Sequence, residues 1–315
     1  MSWKSHLFSR RDMLKISAGA GAGLALGNWS VFAQSSQPAG LIQRAIPSSG
    51  ERLPLVGIGT ARRYNVGTSA EERAPLKEVL KRLPELGGKL IDTAPSYGTA
   101  ETVVGDLVRD IGNRDRLFIA TKVRKQDLAD AKKEIEQSFE ILHTDKIDLI
   151  QVHNLVGLDD VLPVLREMKT AGRIRYVGVS TSSGRQYADF IKMMEIEDLD
   201  FIQVNYSMTS RTAAERILPL ARDRGMAVLV NLPYSRGRVF QRAGDRAIPD
   251  WAADYADTWG QFFLKYILAN PAVTCVIPGT AKIKYLEDNL GAARGPMPDA
   301  AMQKRMEQFY DALPS

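Results

Sequence analysis

Four polar residues far apart in the chain share one setting, the end of a short apolar run. Asp92 closes Lys89–Asp92 and opens the segment Asp92-Thr93-Ala94-Pro95-Ser96-Tyr97-Gly98; Lys122 follows Leu117–Thr121, and His153 follows Ile147–Val152. A tyrosine, a lysine, an aspartate and a histidine in one pocket could manage a proton. A phenol with an ordinary pKa of about 10 is a weak acid at neutral pH, but a neighbouring ammonium stabilises its phenolate and lowers that value. Asp92 paired with Lys122 would hold the ammonium charged and aimed. His153 could then hydrogen-bond a bound carbonyl oxygen and turn it toward Tyr97. Such a site gives a proton to a carbonyl oxygen or takes one from an alcohol. It contains no evident nucleophile, so the missing part is a hydride source, which a nicotinamide cofactor supplies.

Convergence of these residues requires strands whose ends open on one face. Strand-like runs recur at Leu55–Ile58, Lys89–Asp92, Leu117–Thr121, Ile147–Val152, Arg175–Val179, Phe201–Asn205, Ala227–Asn231 and Val273–Pro278. They alternate with stretches of helical period at Ala74–Leu86, Ala100–Ile111, Leu128–Leu142, Asp160–Ala171, Arg211–Arg224 and Trp259–Ala269. Strand, helix and strand in alternation predict right-handed crossovers and a parallel sheet. Eight strands is the number that closes a (β/α)₈ TIM barrel, whose chemistry sits at the C-terminal strand ends. A doubly wound open sheet is the rival, since alternation does not reveal closure. An N-terminal β-hairpin over Leu41–Pro54, turning at Pro47–Gly50, and an extra C-terminal helix over Asp299–Leu313 complete the prediction. The long connection from Ser235 to about Asp257 reads as a partly mobile flap over cofactor or substrate.

The 315 residues, 44% hydrophobic, suffice for one large core. Of the formal charge of +5, Lys4, Arg10, Arg11 and Lys15 against Asp12 place +3 in the first 33 residues, so the remainder gives little support to nucleic-acid binding. That first segment resembles an export leader. Ser9-Arg10-Arg11-Asp12-Met13-Leu14-Lys15 is similar to a twin-arginine motif, although Met13 stands where Phe is usual. Ile16–Gly27 is a weakly apolar Gly/Ala stretch too short to span a bilayer, and Val31-Phe32-Ala33 offers a cleavage site. The expected organisation is a signal peptide over residues 1–33, a linker over 34–40 and the barrel over 41–315. The resemblance implies the twin-arginine export machinery as a partner and a periplasmic or exported bacterial protein. The lone Cys275 fits this route, because no intrachain disulfide can form, and its apolar run marks a buried inert thiol. Gly19-Ala20-Gly21-Ala22-Gly23 lacks the spacing of a dinucleotide fingerprint, follows no strand and lies inside the leader.

The matches taken together, roughly from Leu53 to Gly291, resemble the aldo-keto reductases. They comprise Asp92-Thr93-Ala94-x-x-Tyr97-Gly98 with Glu101 beyond it, Thr121-Lys122, and Val152-His153. The resemblance implies Tyr97 as general acid, Lys122 and Asp92 as the residues that tune it, and His153 as the residue that orients the substrate carbonyl. It further implies a nicotinamide site. Gly59 and Thr60 match the family's first cofactor-side turn. Ser180 and the following residue would hold the carboxamide, with Thr181 here in place of the frequent Asn, and Gln203 would complete that recognition. Tyr234, within Pro233-Tyr234-Ser235-Arg236-Gly237, would stack on the nicotinamide, with Ser235 and Arg236 in the segment that crosses the cofactor. Gly279, Thr280 and Lys282 begin the phosphate and adenosine site, where backbone amides at a helix start suit phosphate oxygens. Asp288 and Asn289 occupy the positions that contact adenine, while Tyr285 replaces a frequent Arg. Lys282 and Lys284 could neutralise a 2′-phosphate, so NADP(H) is favoured and NAD(H) is the alternative.

The function expected is therefore NAD(P)H-dependent reduction of an aldehyde or ketone by a monomer acting on a small carbonyl substrate. A non-catalytic nicotinamide-binding sensor or partner subunit on the same barrel is the alternative, against which intact Tyr97, Lys122 and His153 count. No two histidines or cysteines sit at ligand spacing, so no metal is expected. Of the three histidines, His6 lies in the leader and His143 in a helix-to-strand turn, which leaves His153 as the candidate. A Gly-x-Ser-x-Gly elbow for serine hydrolysis is lacking.

Overall fold

A computed structural model describes residues 40–314. The leader over 1–33 and all but the last residue of the linker lie outside them. Two short strands, β1 (Gln43–Ala45) and β2 (Arg52–Pro54), pair antiparallel as the N-terminal hairpin. The barrel strands follow: β3 (Ile58–Gly59), β4 (Leu90–Asp92), β5 (Phe118–Val123), β6 (Ile147–His153), β7 (Ile174–Ser180), β8 (Phe201–Asn205), β9 (Ala227–Asn231) and β10 (Cys275–Val276). Each is parallel to its sequence neighbours. Parallel bridges Val56↔Val276 and Gly59↔Gly279 join the last strand to the first and close the sheet into a barrel. The closure settles the choice between barrel and open sheet. At that seam the backbones approach closely, and a Cβ on Gly59 would lie 2.8 Å from the Ile277 carbonyl oxygen.

Alternation along the strands divides the core into two layers. Inward-facing Leu90, Phe118, Ala120, Leu149, Tyr176, Phe201, Leu229 and Cys275 fill the barrel interior, joined by Ile46 and Leu53 of the hairpin. Outward-facing Ile91, Ile119, Ile150, Val152, Val177, Ile202 and Val204 pack under the helices. The hairpin also closes the N-terminal mouth, where Ser49 Oγ and Tyr176 Oη are 2.7 Å apart and Tyr176 Oη donates to Glu51 at 2.7 Å. Continuing the inward alternation toward the C-terminal ends replaces apolar residues by Asp92, Lys122, Gln151, His153, Ser180, Gln203, Asn205 and Asn231. The polar set is thus a consequence of period and position: the last inward residues of six strands share one layer.

The helices are α1 (Ala70–Glu85), α2 (Ala100–Ile111), α3 (Leu128–Ile141), α4 (Leu158–Thr170), α5 (Tyr187–Ile196), α6 (Ile217–Asp223), α7 (Arg238–Ala243), α8 (Trp259–Leu268), α9 (Ile283–Gly291) and α10 (Ala300–Asp311). None of these described helices is long and apolar enough to cross a membrane. The helix expected over Arg211–Arg224 is shorter, a single 3₁₀ turn followed by α6. Pro219 falls at the third position of α6, in the first helical turn, where its missing amide hydrogen costs no intrahelical bond. The connection from Ser235 to Asp257 is also not a bare loop: it contains α7 and a 3₁₀ turn at Asp250–Ala252. Helices α2 and α3 meet so closely at Gly105 that an added Cβ would fall 1.9 Å from the Ile141 carbonyl oxygen. Gly105→Ala is therefore expected to lower the urea midpoint, with an overpacking cost of about 1–3 kcal/mol; an unchanged midpoint would show that the two helices separate freely.

Candidate active site

Tyr97 reaches the polar layer because the chain leaves β4 through a 3₁₀ turn, Pro95–Tyr97, and then bends at Gly98 with φ +68°. Lys122 Nζ donates to Asp92 Oδ1 at 2.6 Å and to the Thr93 carbonyl at 3.0 Å, and it lies 5.0 Å from the centre of the Tyr97 ring. The Tyr97 and His153 rings meet edge to face, their centres 6.3 Å apart. His153 Nδ1 is 2.8 Å from Ser180 Oγ, its register partner on β7. Gln203 accepts from Gln151 Nε2 at 2.8 Å and also hydrogen-bonds the Asp92 carboxylate. Asp92, Tyr97, Lys122 and His153 are therefore gathered at one place.

Burial sets the electrostatics. It pushes the Asp92 carboxyl upward, against the pull of Lys122 and the Gln203 hydrogen bond. It also works against the Lys122 ammonium, but Asp92 and Tyr97 hold that group above the ordinary lysine value. The short contact and the second acceptor on Thr93 favour the charged pair. Burial raises the Tyr97 phenol above its ordinary value despite the opposing pull of Lys122. The lowered phenol expected from the ammonium is thus corrected: the ammonium acts in the expected direction, and desolvation exceeds it. Desolvation, with the Lys122 and Arg124 charges, brings His153 down to about 3, so its imidazole is neutral at ordinary pH.

Outward-facing Thr121, next to Lys122, donates to the buried Glu101 of α2, which also accepts from Ser138 of α3. Burial pushes the Glu101 carboxyl from 4.5 up to about 7. The folded chain thus binds this proton more tightly than the unfolded chain across that interval, and stability falls as pH rises through it. Urea midpoints should decline less steeply between about pH 4.5 and 7 in Glu101→Gln than in the natural chain. Parallel slopes would contradict the assignment.

A cavity of about 900 Å³ opens above the polar layer. Its wall includes Asp92, Tyr97 and His153 together with Gly59, Thr60, Gln203, Tyr234, Arg236, Gly279, Asp288 and Asn289. Tyr234 Oη donates to Asn289 Oδ1 at 2.6 Å, and Asn289 Nδ2 donates to Thr280 Oγ1 at 3.0 Å. Asp288 accepts from Thr258 Oγ1 at 2.8 Å and Gln261 Nε2 at 3.0 Å. The remaining expected cofactor residues stand off the wall. Ser180 is buried behind His153, and Thr181 is buried with its hydroxyl on Gln186 at 2.7 Å. Buried Ser235 lies 2.8 Å from Ser207 Oγ and pins the segment that carries Arg236. Lys282, the N-cap of α9, is exposed. Sequence reasoning missed Asn231, which closes β9 and lines the cavity with its Oδ1 buried and unpartnered; the strand-end rule would have found it. Trp259 and Phe240 also line the cavity.

Comparison with known proteins agrees with this arrangement. Residues 55–310 match the profile of the aldo/keto reductase family, and residues 7–27 match that of twin-arginine translocation signal sequences. The aldo-keto reductase YhdN of Bacillus subtilis is 32% identical over 212 residues, which span 61% of this chain and 62% of that relative. The Schizosaccharomyces pombe aldo-keto reductase yakc [NADP(+)] is 25% identical over 312 residues, covering 83% and 90% of the two chains. The solved holo form of aldo-keto reductase AKR11C1 from Bacillus halodurans superposes with a TM-score of 0.67 at 25% identity, covering 86% of this chain and 96% of that one. With the closed parallel barrel and the gathered strand-end residues, a match over most of its length places this chain in the aldo/keto reductase family.

Proposed function

We propose that this chain reduces an aldehyde or ketone to an alcohol, with Tyr97 as the general acid. The observation that carries this reading is the placement of Lys122 Nζ 2.6 Å from Asp92 Oδ1 and 5.0 Å from the Tyr97 ring centre, with His153 against the same ring. A bound nicotinamide supplies the hydride in such a reaction. The residues present suit that group. The cavity is of the size that encloses a cofactor; it extends from Tyr97 and His153 to the hydrogen-bonded set of Tyr234, Thr280 and Asn289, with Asp288 beside them. Gly59, Thr60, Gln203, Tyr234, Arg236, Gly279, Asp288 and Asn289 would hold it, with Ser180, Thr181, Ser235, Thr280 and Lys282 supporting or flanking them. NADP(H) is the favoured form, in keeping with the NADP(+) in the name of the Schizosaccharomyces pombe relative.

The chain's own residues then manage a single proton. Ser180 Oγ gives its hydrogen to His153 Nδ1, which leaves Nε2–H to donate to the substrate oxygen. Tyr97, kept protonated by its buried setting, gives its hydroxyl proton to the oxygen as negative charge develops there. Lys122 stabilises the resulting phenolate, and Asp92 keeps Lys122 charged and directed. Solvent returns the proton to Tyr97 before the next turnover.

The twin-arginine match over residues 7–27 supports export through that pathway, and we place the mature enzyme in the periplasm. The test is a fluorescence titration of the purified mature chain with NADPH and with NADH, followed by a carbonyl panel monitored at the cofactor's absorbance. Saturable NADPH binding and carbonyl-dependent oxidation are expected. Binding without oxidation of any panel member would favour the sensor, and absence of binding would overturn both readings.

A further inference from the structure

We propose that the Arg62–Arg63 turn recognises an anionic group, a carboxylate or phosphate, on the carbonyl substrate. This rests on the reading of the cavity as a carbonyl reductase site. Both arginines are exposed and line that cavity, whose wall also includes Tyr97 and His153. Neither guanidinium has a hydrogen bond or an ion pair among the described residues, although the Arg63 amide donates to the Thr60 carbonyl at 3.0 Å. Many other arginines of the described chain are neutralised by acids. Arg73, Arg114, Arg166, Arg173, Arg175 and Arg211 all contact a carboxylate at 2.9 Å or less. The acids in the cavity wall are committed elsewhere, Asp92 to Lys122 and Asp288 to Thr258 and Gln261. His153 is neutral and Lys122 is engaged, so the tetrad offers no free positive charge to an anionic substrate.

The turn is braced on both sides of the acid. Before it, Thr60 donates twice to the Asp92 carbonyl, from its amide at 3.1 Å and from Oγ1 at 2.9 Å. After it, Asn65 Oδ1 accepts from the Thr99 amide at 3.0 Å and from Thr99 Oγ1 at 3.2 Å, just past Tyr97. Gly98 permits that approach, since a Cβ there would lie 2.3 Å from Asn65 Oδ1. Between the anchors Tyr64 is fully buried and pegs the turn to the core. The turn that carries the two exposed guanidiniums is thereby anchored at the cavity wall, where they suit bidentate recognition of carboxylate or phosphate. Arg63 also lies alongside Gly279, where an added Cβ would be 3.6 Å from its Cγ. The same chemistry could therefore come from a cofactor phosphate, and the experiment must separate the two sources.

The test compares 4-carboxybenzaldehyde with its neutral methyl ester in the mature enzyme and in the Arg62→Ala/Arg63→Ala variant, together with NADPH affinity. The natural enzyme should favour the acid by about tenfold or more in kcat/KM, and rising salt should narrow the preference. The variant should lose that preference through KM while its turnover of the ester and its NADPH affinity stay within about twofold. Equal kcat/KM for acid and ester in the natural enzyme would overturn the proposal. So would a variant that binds NADPH more weakly and treats both aldehydes alike, which would assign the arginines to cofactor phosphate. Oxidation of NADPH by neither aldehyde would count against the reductase reading instead. Calorimetric titration with the acid then decides the role of the turn without turnover: binding lost in the variant supports it, and equal binding in both proteins overturns it.

Discussion

Replacing Tyr97 by phenylalanine is expected to lower kcat for carbonyl reduction by about 10²–10⁴-fold, the usual contribution of a positioned general acid. The Tyr97 hydroxyl hydrogen-bonds Lys122, but in the phenylalanine variant that ammonium keeps Asp92 and the Thr93 carbonyl as acceptors, and the ring keeps its edge contact with His153 and its place under Lys122. Stability and cofactor affinity should therefore stay near those of the natural chain. Parallel measurement of steady-state rate, NADPH affinity and urea midpoint separates lost chemistry from lost structure. A variant retaining more than about a tenth of the natural rate would exclude Tyr97 as the principal acid.

Removing one member of the Asp92–Lys122 pair is expected to have the largest effect on stability. Both side chains are almost completely buried, so Asp92→Leu leaves an ammonium with only neutral acceptors, the Thr93 carbonyl and the Tyr97 hydroxyl. Breaking a buried pair in this way typically costs about 3–5 kcal/mol, whereas replacing both partners by apolar residues is often neutral. The double variant Asp92→Leu/Lys122→Met should thus recover most of the urea midpoint lost in Asp92→Leu. It should not recover activity, because Tyr97 then has no ammonium to stabilise its phenolate. A double variant no more stable than Asp92→Leu would mean that the cost lies in packing and not in charge.

The barrel and its tetrad were legible because polar residues at the ends of apolar runs are costly unless they converge. Asp92, Lys122 and His153 are each the last inward position of a buried strand, and the alternation that sends Ile91, Thr121 and Val152 outward brings them together. Energetic balance was less legible than position. Nothing in the spacing tells that burial of Tyr97 outweighs the pull of Lys122, since that depends on neighbours from every strand. Side-chain direction was also hidden: Ser180 faces His153, and the positive charge lining the cavity comes from Arg62, Arg63 and Arg236, whereas Lys282 stands off the wall. The start of α6 could have been read from Pro219, a purely local signal, whereas α7 lies within an Arg- and Gly-rich stretch of little periodicity.

Tyr97 and His153 make opposite demands on pH, and this separates them as proton donors. Burial holds the Tyr97 phenol above its ordinary value, while His153 is brought down to about 3, so neither should titrate between about pH 5 and 9. The decisive measurement is the single-turnover rate of NADPH oxidation by an aldehyde across that range, in the natural enzyme and in Glu101→Gln, which removes the nearby carboxyl that titrates at about 7. A flat profile in Glu101→Gln, about a hundredfold or more above that of Tyr97→Phe throughout, is the expected result. A rate that falls with a midpoint near 6.5 in Glu101→Gln would make a protonated histidine the acid and contradict the assignment of that role to Tyr97.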